Sequence, residues 1–386
     1  MIAKSIAGLL ALGMCAVVPH QARAKTHAAA KPAPLTKRER AEHALDRLTF
    51  GPRPGDVDRV EKMGVQRWIN QQLHPETMDA SALEAKLNTL PAMQLSTDQL
   101  IRKYPPPAMI RQVDAGRFGL PGDPVERAVY ANALANYWQR RETKAEGQTA
   151  GQTDASGGKL APQKETVADP NFNRSTNVAT LLRLAPDARW NAVLAMQPGT
   201  VRPFVQRLTP AERQQLIAGM APQQKEVLLA LVEPNRVVTE ELQEEKLLRA
   251  VYSNRQLEEV MTNFWSNHFN IYLRKNGEMP WYLATYERDV IRPHAMGKFE
   301  DLLVAVAHSP AMLVYLDNQQ SIGPHSVAAM RANANPKQRK SSPGLNENYA
   351  RELMELHTVG VNGGYSQQDV VELAKVLTGW GTETKQ

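Results

Sequence analysis

His268 stands four residues after Phe264 on the stripe Leu257, Val260, Met261, Phe264, His268 and Ile271, the pattern of a helix face turned toward a core. Asn263, Asn267 and Asn270 form a second line at helical spacing. Asn is a poor helix former, so this run is expected to meet polar groups inside the fold. Two readings of His268 stand: a core imidazole bonded to a carbonyl, or a ligand-binding or proton-transfer group with Asn263 and Asn267 as binding residues beside it.

Asp317 is the second candidate. Ser309 as cap and Pro310 at the first position open a helix that is apolar through Leu316, and Asp317 and Asn318 fall at its C-terminal end. A carboxylate there faces the negative end of the helix dipole, at a cost of about 0.3–1 kcal/mol unless a cation compensates. A local rule broken in this way marks either a site or a plain C-terminal turn.

The third candidate is the polar helix expected from Leu345 to Thr358. Glu347, Arg351 and Glu355 are spaced four apart, which describes an exposed ion-pair ladder at about 0.3 kcal/mol a pair. The same helix also carries Asn348, Glu352 and Glu355 as one polar strip, with His357 in the last turn. Two carboxylates three residues apart could split acid and base roles or bind a metal. At 100° per residue, however, His357 lies roughly 140° from Glu352 and roughly 160° from Glu355, so no metal site is expected from this helix alone. The catalytic candidates are therefore His268, Asp317, Glu352 and Glu355, and the binding candidates Asn263, Asn267, Asn348 and His357.

Thr358 to Asp369 matches the calcium-loop template at Gly363, Tyr365 and Asp369, but Thr358 and Gly360 stand where carboxylates are needed. The segment reads as helix-loop-helix, with Gly360 as the stop, Gly363 and Gly364 as the turn, and Ser366 with Asp369 capping the next helix. No nucleophile elbow, phosphate loop, dinucleotide fingerprint or haem-type Cys pattern is present, and no cofactor is called for.

The elements that must position these residues are helical. Thr36 and Glu39 form a capping box opening a helix to Leu48, and Asp56 can cap a second helix through Leu73, giving an antiparallel pair. A helix follows from about Pro124 to Arg141. Short pieces between Ser175 and Glu233 are started by prolines, as in Thr209-Pro210 and Ala221-Pro222. A longer helix from Thr239 to Tyr252 leads to a second capping box, Ser253 with Gln256, which opens the helix of His268. Strand alternation never persists, so the fold is expected to be mainly α, a multi-helical bundle of antiparallel helix pairs with few or no strands.

The N-terminus carries Lys4, an apolar run from Ile6 to Val18, and Gln21-Ala22-Arg23-Ala24, which together read as a secretory signal cut before Lys25. No later stretch is apolar enough to span a bilayer. The expected organisation is a signal peptide at 1–24, a linker at 25–35, an N-terminal helical region at 36–142, a flexible insertion at 143–164 and a helical core region at 165–386. Removing Lys4 and Arg23 takes the formal charge from +6 to +4, and acids and bases are interleaved, so no nucleic-acid partner is expected. The single cysteine, Cys15, leaves with the signal, which excludes thiol catalysis, thiolate metal sites and disulfides from the mature chain.

Four motifs carry a resemblance to a known family. They are Glu42-His43-Ala44-Leu45-Asp46-Arg47-Leu48-Thr49-Phe50-Gly51-Pro52; Phe264-Trp265-Ser266-Asn267-His268-Phe269; His308-Ser309-Pro310-Ala311-Met312-Leu313 through Leu316-Asp317-Asn318 to Ser321; and Asn346 to Thr358 through Leu377-Thr378-Gly379-Trp380. Together they resemble the bacterial family called domain of unknown function 1800, from about Glu42 to Trp380. The resemblance implies an exported, largely helical protein, periplasmic or extracellular, often encoded beside another exported family, and brings no catalytic residues with it. It also implies a further helical portion after Trp380. That leads to the expectation of a truncated chain in which Val370, Val371, Leu373, Val376, Leu377 and Trp380 are left partly exposed.

Two functions remain open at this stage. One is a binding or assembly role with an envelope or extracellular partner, a neighbouring gene product being one candidate. The other is an exported hydrolase of a polymer, with His268, Asp317, Glu352 and Glu355 gathered between helices.

Overall fold

The computed structural model describes residues 34–151, 174–334 and 344–382, and among these every regular element is a helix. The expected mainly α fold is the one observed. The expected signal segment 1–24 and most of the expected linker lie outside the described residues.

The first helix, Lys37–Leu48, opens on the expected capping box: Thr36 Oγ1 accepts from the Glu39 amide at 3.2 Å, and the Glu39 carboxylate accepts from the Thr36 amide at 2.7 Å. Its partner is not one helix but two, Asp56–Met63 and Val65–Gln72. Gly64 breaks it at φ 89°, a backbone region that only glycine enters freely. The bend lets Val60 and Trp68 both reach the small core built with Ala41, Ala44 and Leu45. Asp56 does not cap; it is the first helical residue, and its carboxylate binds Arg53 and Arg59 at 3.2 and 2.9 Å.

Pro124 opens a helix that runs to Gly151, past the expected end at Arg141 and into the segment read as a flexible insertion, of which residues 152–164 lie outside the described residues. Prolines start Pro210–Ile217 and Pro222–Val232 as expected, and Pro234, not Thr239, begins the helix ending at Tyr252. The large core of this half runs from Leu83 to Val238 and takes in Trp281 and Ala284. A second core joins Phe269, Met279, Tyr286, Leu302, Met312, Tyr349 and Val370. The short helix Met279–Thr285 therefore serves both cores, and its Trp281 Nε1 donates to the Tyr104 carbonyl at 2.7 Å.

The helix of His268 spans Gln256–His268. The expected capping box at Ser253 does not form. Gln256 Nε2 instead donates to the Ser253 and Ala250 carbonyls, and the Ser253 hydroxyl accepts from the Arg255 amide. Gln72 clamps this end to the N-terminal helices, donating to the Asn254 carbonyl and accepting from the Leu257 amide, both at 3.0 Å. The buried face of the helix carries Leu257, Glu259 and Thr262, with Glu259 held by Arg292 at 2.9 Å.

At the far side of the second core the chain turns a corner. Asn318 is 1% exposed, and its Nδ2 donates to the Leu377 carbonyl at 3.0 Å and the Trp380 carbonyl at 3.1 Å. Asn346 Nδ2 donates to the Leu316 and Asp317 carbonyls, and its amide donates to Ser321 Oγ. Three segments distant in sequence, at 316–321, 346 and 377–380, are thus tied together through asparagine side chains and backbone carbonyls. In the last helix, Gln367–Val376, Val370 and Leu377 are buried, Val371, Leu373 and Trp380 are half-buried, and Val376 is exposed. Asn318→Ala is expected to lower stability by about 1–3 kcal/mol by taking the donor from the Trp380 carbonyl and leaving the Leu377 carbonyl with the Trp380 amide alone. Urea unfolding checks this, with Asn318→Asp giving at least as large a loss because a carboxylate cannot donate.

Candidate functional site

His268 lies at the last position of its helix, and its Nε2 is 3.1 Å from the backbone oxygen of His357. The bond to a carbonyl expected of a core histidine is present, but the residue is exposed, as are Phe264, Asn263, Asn267 and Asn270. The expected stripe is buried at Leu257 and Ile271 but is corrected at Phe264 and His268, and the inward Asn line is corrected as a whole. Gln256–His268 turns Glu259 and Thr262 inward because Arg292 gives the Glu259 charge a buried partner. Asn267 Nδ2 donates to the Asn263 carbonyl one turn back, so its amide finds its partner within its own helix.

Around His268 the rings gather. His268 meets Phe269 edge-on at 4.6 Å, Trp265 at 5.6 Å and Phe299 at 6.3 Å between centroids, and Trp265 meets Phe264 at 4.8 Å. His357 approaches from the other side, 6.4 Å from His268 and 5.1 Å from Phe269. Phe264 and Phe299 are 53% and 41% exposed, so much of this ring cluster faces solvent. Trp265 is anchored through Nε1 to the Ala295 carbonyl at 3.0 Å.

The helix carrying Glu352, Glu355 and His357 is not uniformly α. After Asn348–Glu352 it widens into a π turn over Leu353–Thr358, shown by the Val359 amide donating to the Met354 carbonyl five residues back at 2.9 Å. A π turn links residues five apart, so it narrows the angle between Glu352 and His357 relative to the α-helical spacing expected from sequence. It also turns His357 inward, to 6% exposure, while Leu356 and Val359 beside it are 57% and 55% exposed. Gly363 closes the loop that follows; a Cβ there would stand 2.7 Å from the Val359 Cβ. The expected Ser366–Asp369 capping box is present.

The His357 Nδ1 is buried with no hydrogen-bond partner among the described residues. Burial first, and then the nearby His268, push its pKa down to about 4, so the ring is neutral at neutral pH. Glu352 is pushed above the usual carboxylate range by burial and by the Glu355 charge. Of the expected ion-pair ladder only Glu347–Arg351 forms, at 3.6 Å, and Gln367 bridges its two members. Asn348 is exposed, with its amide donating to Asn346 Oδ1.

Asp317 does obtain a cation. Lys275 Nζ lies 2.8 Å from its carboxylate and also donates to the Tyr315 carbonyl, which offsets the dipole cost. Asp317 is the one non-glycine residue with positive φ among the described residues, at 57°, a conformation Asp tolerates. The structure therefore brings His268 to His357 and Glu352 to Glu355, and ties Asp317 to Lys275. Among the described residues no hydrogen bond or ion pair links Asp317, Glu352 or Glu355 to either imidazole, and no group of three or more His, Cys, Asp or Glu side chains is placed to hold a metal ion. Sequence reasoning missed Lys275, Phe299 and Ala295; they sit in loops or at a helix start, where nothing in the pattern marks them.

A family model described as protein of unknown function (DUF1800) matches residues 43–386. The chain belongs to that family. Three of the four motifs on which the resemblance rested build this site and the Asn318 corner of this DUF1800 protein, while Glu42 to Pro52 belongs to the N-terminal helix and the turn after it. No curated relative and no solved structure matches the chain.

Because the unfolded chain binds a proton near pH 6.5 that folded His357 refuses until about pH 4, stability should fall as pH drops through that window, by on the order of 2–3 kcal/mol. Urea unfolding at pH 7 and pH 4.5 checks this: His357→Gln should show a smaller pH difference than the wild type, whatever its absolute stability.

Proposed function

We propose that this DUF1800 protein is an exported binding or assembly protein that docks an envelope or extracellular partner on the aromatic face around His268. One observation carries the reading: Phe264 and Phe299 expose their rings beside His268, and Leu356 and Val359 expose apolar side chains beside the His357 contact. Exposed apolar groups gathered at one place in this way favour contact with another molecule. Aromatic rings supply much of the area in such contacts at low entropic cost. The neutral His357 suits a partner that brings apolar groups rather than an anion. Export rests on the N-terminal segment of the sequence. Among the described residues no helix is long and apolar enough to cross a membrane.

The alternative, an exported hydrolase of a polymer, draws support from Glu352, whose raised pKa suits a proton donor, beside Glu355 as a second carboxyl group. His268 and Asp317 would complete that site only through a rearrangement or a bound substrate.

A photocrosslinking residue placed at Phe264 or Phe299 in the exported protein, in its own cell, distinguishes the two. A discrete adduct is expected at both positions and not at Leu73, an exposed apolar residue on an N-terminal helix. Absence of adducts at both, together with release of soluble fragments from cell-wall polymer that Glu352→Gln abolishes, would replace binding with hydrolysis.

A further inference from the structure

Ser309 occupies the capping position of Pro310–Tyr315, yet its side chain makes no capping bond. The residue is 3% exposed, and its hydroxyl has no hydrogen bond among the described residues. Its oxygen is not among the sealed, unpartnered polar atoms of the described residues, so it meets solvent through the space it borders. This one lines a half-open cleft of about 330 Å³ between the start of Thr97–Lys103, the Met279–Ile291 segment and Ser309–Ala311. The volume sits at the lower end of small-molecule sites, about 300–1,000 Å³.

We propose that this cleft binds a small neutral saccharide, free or at the end of a glycan, with the unbonded Ser309 hydroxyl on its wall as the anchor. The rest of the lining has the matching chemistry. Ser96, Thr97 and Thr285 add hydroxyls. Thr285 donates to the Tyr282 carbonyl at 3.3 Å, so Thr97 is the donor in the 2.7 Å contact between the two threonines, and both keep acceptor capacity for sugar hydroxyls. Val290, Pro310 and Ala311 supply an apolar floor, and Tyr282 an aromatic wall against which the C–H face of a sugar ring can pack. Burial, with Glu278 and Asp98 nearby, keeps the Tyr282 hydroxyl neutral and able to donate.

Charge selects against an anionic ligand. Asp289 is held by Arg288 through two bonds of 2.6 and 2.7 Å. Asp98 has no ion pair among the described residues and is left as a carboxylate acceptor. One free carboxylate repels an anion. Alone among hydroxyls, it suits bidentate acceptance from adjacent sugar hydroxyls.

The cleft is lined by none of the residues of the aromatic face, so the two proposals succeed or fail separately. Saturation-transfer NMR on the full chain, with cellobiose, maltose and N,N′-diacetylchitobiose as probes and spermidine as a cationic arm, tests it. At least one disaccharide should bind, and Ser309→Ala and Asp98→Asn should each weaken it about five- to tenfold. Ser309→Ala should leave thermal stability nearly unchanged, since the hydroxyl bonds to nothing within the described residues, and Leu73→Ala should leave disaccharide binding unchanged. Failure of all three disaccharides to bind the folded chain would overturn the assignment. So would binding that both variants leave intact, or spermidine binding alone that Asp98→Asn abolishes.

Discussion

A buried backbone carbonyl must be given a donor, and at the turn after Leu316 two asparagine side chains add their donors to those of the short backbone turns. Asn318 serves Leu377 and Trp380, and Asn346 serves Leu316 and Asp317. These bonds fix the segments before and after the Glu352 helix against the apolar helix Pro310–Tyr315. The place at which His357 meets His268 follows from that placement. Stacking of His308 on Trp380 at 4.3 Å closes the same corner from outside.

With the segment fixed, the π turn decides what it presents. An α-helical continuation would leave His357 on a different face. The wider turn buries its ring against Phe269 and gives its carbonyl to His268. One imidazole is thereby kept neutral by desolvation and the other is kept at the surface. The result is an aromatic surface next to an acidic strip, a combination that separates apolar contact from proton chemistry within one short stretch of chain.

Two residues of the apolar helix region break local rules, and the fold resolves them differently. Asp317 is matched by Lys275, a residue forty-two positions earlier, which also takes a terminal carbonyl. Ser309 is matched by nothing in the chain and opens on the cleft. A broken rule with an internal partner is a structural device. One without a partner points outward, to a ligand.

Helical class, the proline starts, the Thr36 and Ser366 capping boxes and the stop at Gly360 were legible because each is a contest among neighbouring residues, decided within one or two turns. The choice of His268, Asp317 and Glu352 as unusual residues was legible for the same reason: each departs from what its own helix prefers. The partners of those residues were not. The face of Gln256–His268 that turns inward was set by Arg292, thirty-three residues beyond Glu259, whose charge outweighs the apolar stripe once both are taken out of water. The break at Gly64, the bridge from Lys275 and the π turn before Thr358 likewise depend on contacts between segments far apart in sequence. Sequence determined which residues were locally costly; only the tertiary structure decided which of those costs were offset, because burial and opposite charge exist only once the helices are packed.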